Sequence, residues 1–570
     1  MKRLLVRVLA TIGFFTLLLS IGLGVLVWMF LPEDEGLPER VVLTLDLRHG
    51  FDEAKRSGSL ASFDLEPNLT LADTILALDR AGERDEIAGL VARINGGGPG
   101  LAQAQELREA IRRFRSQGKF AYAFSTSFGE FGPGTLGYYL ASVFDEIHLQ
   151  PLGAVGLTGL SLETPLLKDF FEQIGVTPSG GKRGPYKTAA NMFTEDSLTR
   201  EHRESLEWLA DSLFEQIRDG IGRDRGFDTD VVEGLIDGGP YGAEEAFHAG
   251  LVDRLSYWDE VVTRAEKRAG SSADLVDLDR FASLVPPSDG AEEVIALIEG
   301  VGQIQEGDNG DGPGGWVMGA DSIARAIEDA IDDSDVRAIL FRVSSGGGSA
   351  VASETIGRQV RRAIEMKKPV IVSMGDVAAS GGYWIAMDAS KIVADPGTLT
   401  GSIGVLAGKP VLDDLWRKLG IHWGAVNRGA NAEMWSVNQD YGFRGRERLE
   451  TFLDQTYSAF TEGVARGRGM TKEDVNTIAE GRVWTGVQAK ELGLVDELGG
   501  FTRALELARV EIGLDPDQPV NIRRFPEPKS PFETALDLIQ EPLITISTLS
   551  SWIQLLQNEG VATTPPVMIR

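Results

Sequence analysis

The segment Pro369-Val-Ile-Val-Ser-Met-Gly-Asp-Val-Ala-Ala-Ser-Gly-Gly-Tyr-Trp-Ile-Ala-Met387 decides how the chain is read. Its first five residues are a short apolar run of the kind that forms a fully buried strand. The small residues after it predict a tight turn, and residues 383–387 predict the helix that follows. Ser380 then falls at the first turn of that helix, where backbone N–H groups are unpaired and the dipole favours negative charge. A serine so placed is either a nucleophile with its oxyanion stabiliser attached or merely the start of a helix packed tightly on a sheet. The rest of the chain separates these readings.

Within that segment, Gly382-Tyr-Trp-Ile-Ala386 has a twin in Gly137-Tyr-Tyr-Leu-Ala141, an offset of 245 (382 − 137). The same offset pairs Gly156 and Gly159 with Gly401 and Gly404, and Ile174-Gly-Val176 with Leu419-Gly-Ile421. With small gaps, Ile94-Asn-Gly-Gly-Gly98 matches Val343-Ser-Ser-Gly-Gly-Gly348, and Gly250-Leu-Val-Asp253 matches Gly493-Leu-Val-Asp496. Such self-similarity predicts an internal duplication. Each copy reads strand, helix, strand, glycine loop, helix, strand, an α/β pattern of parallel units with ligands expected at the carboxyl ends of the strands. In the second copy the expected strands are 294–298 and 338–343, and the expected helices 322–331 and 354–365. The copies span residues 41–281 and 291–525, joined by a linker at 284–290. Residues 307–315 predict a mobile acidic loop. The tail, 526–570, predicts an amphipathic helix over 532–557 that packs on its own domain or on another subunit.

At 570 residues the chain is too long for one core. A net charge of −29 repels phosphates and excludes nucleic acid as a partner. With no cysteine there are no disulfides, thiolate nucleophiles or Cys-bound zinc, and the five histidines lack ligand spacing, so neither metal nor cofactor is expected. Residues 1–7 are basic, 8–31 carry no charge, and Glu33-Asp-Glu35 follow. About 20 apolar residues suffice to span a bilayer. An uncleaved transmembrane anchor over 8–31 is therefore expected, with 1–7 cytoplasmic and the bulk outside. In a bacterium this is the periplasmic face of the inner membrane.

A serine hydroxyl needs a base. No histidine falls near the glycine loops, which leaves lysine. Applied to Ser380 the offset gives Thr135, and applied to Lys187, in Gly181-Lys-Arg-Gly-Pro-Tyr-Lys-Thr-Ala-Ala190, it gives Ala432. The copies have diverged in complementary fashion, one keeping a serine and the other a lysine. A lysine base must be neutral, so its usual pKa of about 10.4 must fall to about 7–8, which burial without a carboxylate partner accomplishes. A solvated turn lysine is the plainer reading of Lys187, and Lys182 is a competing base; Lys391 and Lys409 are less suited. For the oxyanion, Gly381 offers one N–H, and the loop holding Gly347 and Gly348 offers another.

Taken together, the anchor, the duplication, Asp376-Val-Ala-Ala-Ser-Gly-Gly-Tyr383, Pro185-Tyr-Lys-Thr-Ala189, Thr400-Gly-Ser-Ile-Gly-Val405 and Gly481-Arg-Val-Trp-Thr-Gly486 resemble the long-form signal peptide peptidases, Ser-Lys proteases of family S49. The resemblance implies a ClpP/crotonase-like fold in each copy, a bowl-shaped homotetramer, and cleavage of remnant signal peptides without a cofactor. It implies Ser380 as nucleophile, Lys187 as general base, and Gly347 or Gly348 as oxyanion donor beside Gly381. One departure is the loop Ser344-Ser-Gly-Gly-Gly348, where the family has Asn-Ser-Pro-Gly-Gly. Two rivals remain at this point: a crotonase-like acyl-CoA enzyme and a non-catalytic membrane-tethered scaffold.

Overall fold

A computed structural model describes residues 36–48, 50–55, 69–270, 273–285, 291–312, 315–527 and 568–569. The expected anchor (8–31), the linker from 286 onward and the expected tail helix (532–557) lie outside the described residues. Among the described residues no helix is long and apolar enough to cross a membrane.

The chain forms two mixed α/β halves around parallel sheets. In the first, β1 (Val41–Asp46), β2 (Ile87–Arg93), β3 (Phe120–Ser125) and β4 (Glu146–Leu149) lie side by side; β5 (Thr177–Arg183) leaves the sheet, β6 (Arg254–Leu255) closes one edge and β7 (Asp274–Asp277) the other. The order is β7-β1-β2-β3-β4-β6, parallel throughout. In the second half β8 (Val294–Val301), β9 (Val336–Ser345), β10 (Val370–Ala379) and β11 (Lys391–Ala394) occupy the same places as β1 to β4. Past β11 come β12 (Leu399–Gly401), β13 (Val405–Val411), β14 (Val483–Thr485), β15 (Glu497–Leu498) and β16 (Asn521–Phe525). β16 borders β8 as β7 borders β1, and β15 borders β11 as β6 borders β4. Burial on both faces explains why these strands read as continuous apolar runs rather than alternating ones.

The helices repeat as well. α1 (Leu71–Gly82), α2 (Leu101–Ser116) and α3 (Arg200–Arg225) of the first half answer to α4 (Ala320–Asp332), α5 (Ala350–Glu365) and, past the short α6 (Gly381–Trp384), α7 (Phe443–Arg468). Helices α3 and α7 are each 26 residues long. α5 begins where Ser349 accepts a hydrogen bond from the Ala352 N–H, an N-cap that fixes its entry from the glycine loop.

Two expectations are corrected. The strand predicted to end at Ser373 runs on to Ala379, because β10 gains a second partner: Val377 to Ala379 pair with β12 after Ile371 to Met374 have paired with β11. No separate turn precedes Ser380. The acidic loop expected over 307–315 is partly sheet, since Gly310–Gly312 pairs antiparallel with Gly315–Gly319, which also pairs with Gln303–Gln305. Asn309 Oδ1 accepts from the Gly319 N–H and ties this flap down.

The halves share a core. α8 (Phe501–Glu511), a second-half helix, packs on β9 and β10 and buries Phe501, Leu505 and Ala508 in one apolar cluster with Leu78, Leu107 and Ile111 of the first half. The amino end of α2 is gripped by the second half. Asp376 Oδ1 accepts from the N–H groups of Ala102 and Gln103, and Gln105 Oε1 accepts from the Gly397 N–H.

Candidate active site

Ser380 sits between the end of β10 and α6 with φ 55° and ψ −117°. A non-glycine residue with positive φ is uncommon and is held there only by its surroundings. Its N–H donates to Gly401 O on β12, and its carbonyl accepts from Trp384 N in α6. The expected small residues are sterically required beside it. A Cβ on Gly382 would stand 2.4 Å from Ser345 O, and one on Gly347 (φ +106°) would stand 2.7 Å from Gly381 N and 2.9 Å from Ser380 Cβ. Strand end, glycine loop and helix start therefore close on one another around the hydroxyl.

Lys187 reaches this point from the other half. β5 and β13 form a seven-pair antiparallel ribbon, Thr177 opposite Val411 through Arg183 opposite Val405, which carries the first-half chain across onto the second. After the ribbon, Tyr186 N donates to Glu480 O, and Gly481 closes against the lysine backbone so tightly that a Cβ there would lie 2.5 Å from Lys187 N. Arg482 stacks 3.7 Å over the Tyr186 ring, and it and the Tyr186 hydroxyl both bond Glu204 Oε1. The loop that the sequence offers as Gly481-Arg-Val-Trp-Thr-Gly486 is thus the seat of the lysine.

The side chain is 5% exposed. Its Nζ lies 2.9 Å from Ser380 Oγ, and at the same distance from Ser402 Oγ and from Ser402 O. Among the described residues no carboxylate faces it, and burial alone pushes its pKa down to about 7. At neutral pH about half of such amines are uncharged, and in that form the amine can take a proton from the hydroxyl in contact with it. Lys182, the competing base, donates instead to Asn191 Oδ1. Lys409 is buried against Met434 O and Ser436 O on the far part of β13.

Of the three expected oxyanion donors, Gly347 uses its N–H on Ser345 Oγ at 3.1 Å. The N–H groups of Gly348 and Gly381 have no acceptor among the described residues. These two backbones approach closely, since a Cβ on Gly381 would lie 3.1 Å from Gly348 N. The glycine loop is pinned to the flap strand, with Ile304 N donating to Gly347 O and Ser349 N to Ile304 O. This exchange holds the loop in which Gly346 stands where the resemblance leads one to expect proline.

The twin positions hold no such arrangement. Thr135 donates its hydroxyl to Gly159 O and accepts from Thr158 N, while Asn95 Oδ1 accepts the N–H groups of Gly97 and Gly98. Sequence reasoning missed Ser402. Its motif was visible, but its φ of 52° and its hydrogen bonds to Lys187 belong to the tertiary structure. Among the described residues no cluster of acidic or histidine side chains could hold a metal ion.

Peptidase family S49 matches residues 127–272 and 362–515, one stretch in each half. The chain is similar to the chloroplastic serine protease SPPA of Arabidopsis thaliana, 30% identical over 530 residues, covering 91% of this chain and 76% of that protein. It is similar to Protease 4 of Haemophilus influenzae, 32% identical over 457 residues, covering 76% of this chain and 72% of that one. Protease 4 of Salmonella typhi is 31% identical over 528 residues, covering 87% of this chain and 83% of that one.

Proposed function

The chain belongs to peptidase family S49 and is a serine peptidase, and we propose that it cleaves unfolded apolar peptides, remnant signal peptides foremost, through a Ser380–Lys187 dyad. The observation that carries this reading is the 2.9 Å contact between a buried, carboxylate-free lysine and a serine held at strained backbone angles. Neutral Lys187 takes the Ser380 proton as Oγ attacks the peptide carbonyl. The N–H groups of Gly348 and Gly381 hold the oxyanion. The amine leaves with the proton from Lys187, and water activated by the same lysine hydrolyses the ester. Ser402 fixes the direction of the Nζ lone pair toward Ser380.

The two halves read as duplicated ClpP/crotonase-like domains, 41–281 and 291–525, of which the first supplies the base and the second the nucleophile. The duplication also supports assembly into a homotetramer. Within the chain the start of α2 is buried by the second half, but the equivalent start of α5 leaves Val351 66% exposed. Conversely, Gly397 meets α2, whereas the loops at the equivalent place in the first half leave Phe131 99% and Leu152 97% exposed. Repeating the internal contact head to tail between chains covers both surfaces. Residues 8–31 serve as a membrane anchor, with the bulk on the periplasmic side.

Full-length protein in detergent should hydrolyse an unstructured apolar peptide, and Ser380→Ala and Lys187→Ala should each abolish that. Full activity in Ser380→Ala would end the dyad reading, and turnover of an acyl-CoA thioester in preference to peptide would favour the rival enzyme class. A monomeric mass in detergent would remove the tetramer.

A further inference from the structure

One buried cluster between the halves holds more carboxylates than cations. Buried Arg342 on β9 pairs with Glu53 at 2.9 Å and with Glu106 at 2.6 Å, and donates to Ser373 Oγ. Glu53 also accepts from Gln103 Nε2, and Glu106 Oε2 accepts from the Phe501 N–H at the start of α8. Asp376 and Asp395 complete the group, making four carboxylates around one guanidinium. Glu53 and Glu106 come from the first half; Arg342, Asp376 and Asp395 come from the second. The cluster lies on the strands that lead to the dyad: Asp376 is four residues before Ser380 on β10, and Asp395 directly follows β11, whose Ala394 pairs with Met374.

The two aspartates differ in their partners. Asp376 receives the Ala102 and Gln103 N–H groups, which meet its charge when it ionises. Asp395 is 3% exposed and its Oδ2 has no hydrogen-bond partner among the described residues. Asp395 and Glu106 line the same cavity between the halves, and Glu106, Arg342 and Asp376 are the charged groups that act on Asp395. An ionised carboxylate with a bare buried oxygen beside another carboxylate is strongly disfavoured.

We propose that Asp395 enters this interface as the neutral acid and shares its proton with Glu106, so that the pair acts as a positioning device holding the two halves at the spacing that brings Lys187 to Ser380. Losing that proton at alkaline pH sets two like charges face to face across the interface and draws the dyad apart. Burial, then Glu106, raises Asp395 well above the ordinary carboxylate range. Burial and Glu53 bring Asp376 only to about 7. An acid whose folded pKa is raised binds more protons folded than unfolded, so stability falls as pH rises from the unfolded value through the folded one.

This inference rests on the dyad reading, and its test separates the two. Full-length protein in detergent is assayed on an unstructured apolar peptide from pH 5 to 10, and its thermal midpoint is followed over the same range. Wild type should lose kcat/KM reversibly on the alkaline side, with a falling midpoint. Asp395→Asn, whose amide can donate to Glu106 and cannot ionise, should move that alkaline limb up by at least one pH unit while leaving the acid-side limb in place. In the wild type, hydrogen-exchange protection of the Ala102, Gln103 and Phe501 amides, corrected for intrinsic rate, should fall with the same midpoint; this reads the interface even if the variant fails to fold or the protein cleaves nothing. Coincident alkaline limbs in wild type and Asp395→Asn, or protection unchanged through pH 10, would overturn it.

Discussion

Lys187 Nζ stands 2.9 Å from Ser380 Oγ although 193 residues separate them along the chain. The contact is made across the boundary between halves. Its geometry is set by the β5–β13 ribbon, by the seat at Glu480 to Arg482, and by the φ of 55° at Ser380. A change in any of these acts on the dyad without touching either side chain, and a displacement of about 1 Å can cost about a hundredfold in rate.

The pH dependence follows from the lysine. Below about 7 Lys187 is protonated and cannot accept the Ser380 proton; above it the amine is free. We expect kcat/KM on a neutral peptide to rise with pH through an apparent pKa of about 7 and then level until the alkaline limb. Lys187→Arg should be inactive throughout, since a guanidinium keeps its proton. An acid-side limb near 10, the value of a solvated lysine, would show that burial does not tune this group.

Ser402→Ala should lower kcat about tenfold with KM little changed. The variant keeps the carbonyl contact to Nζ and loses only the hydroxyl, and one hydrogen bond of about 1–1.5 kcal/mol corresponds to that factor. Steady-state kinetics at the pH optimum decide it. A rise in KM at constant kcat would instead place Ser402 on the substrate.

These residues also mark what could be read from the chain alone. Ser380 and Lys187, which the structure brings into contact, stood out in the sequence because the offset of 245 gave each an internal control, Thr135 and Ala432, that lacks the chemistry. The sheets were legible because parallel strands buried on both faces are written as plain apolar runs. Ser402 and Gly481 lay in quoted motifs, yet their tasks depend on a left-handed turn and on contact with a segment nearly three hundred residues away along the chain (481 − 187), which periodicity cannot show. The shared core around α8 was also hidden, since an internal repeat says which segments are alike and nothing about which ones touch.

Gly481→Ala should strike activity harder than stability. A Cβ there would meet Lys187 N at 2.5 Å and Lys187 Cβ at 2.6 Å, at a φ of +82° that suits glycine. We expect the lysine segment to be pushed off Ser380, with kcat down about a hundredfold and the folded protein retained. Circular dichroism melting beside peptide kinetics separates the two effects. Wild-type kcat in a folded Gly481→Ala protein would show that the seat does not position the lysine.

Each chain should hold one working site. Thr135 occupies the twin position of Ser380, but its hydroxyl is committed to Gly159 O and its twin lysine is Ala432. The first-half glycine loop folds its N–H groups onto Asn95 Oδ1, whereas those of Gly348 and Gly381 are free of acceptors among the described residues. A serine-directed acylating or phosphonylating reagent should therefore label one residue per chain, Ser380. Thr135→Ser should leave that stoichiometry at one, because a hydroxyl without a base or an oxyanion site remains a weak nucleophile. Intact-mass measurement after labelling gives the count directly. A second adduct in Thr135→Ser would mean that the first half keeps a working oxyanion site despite the bonds to Asn95, and that the two halves have diverged less than their side chains indicate.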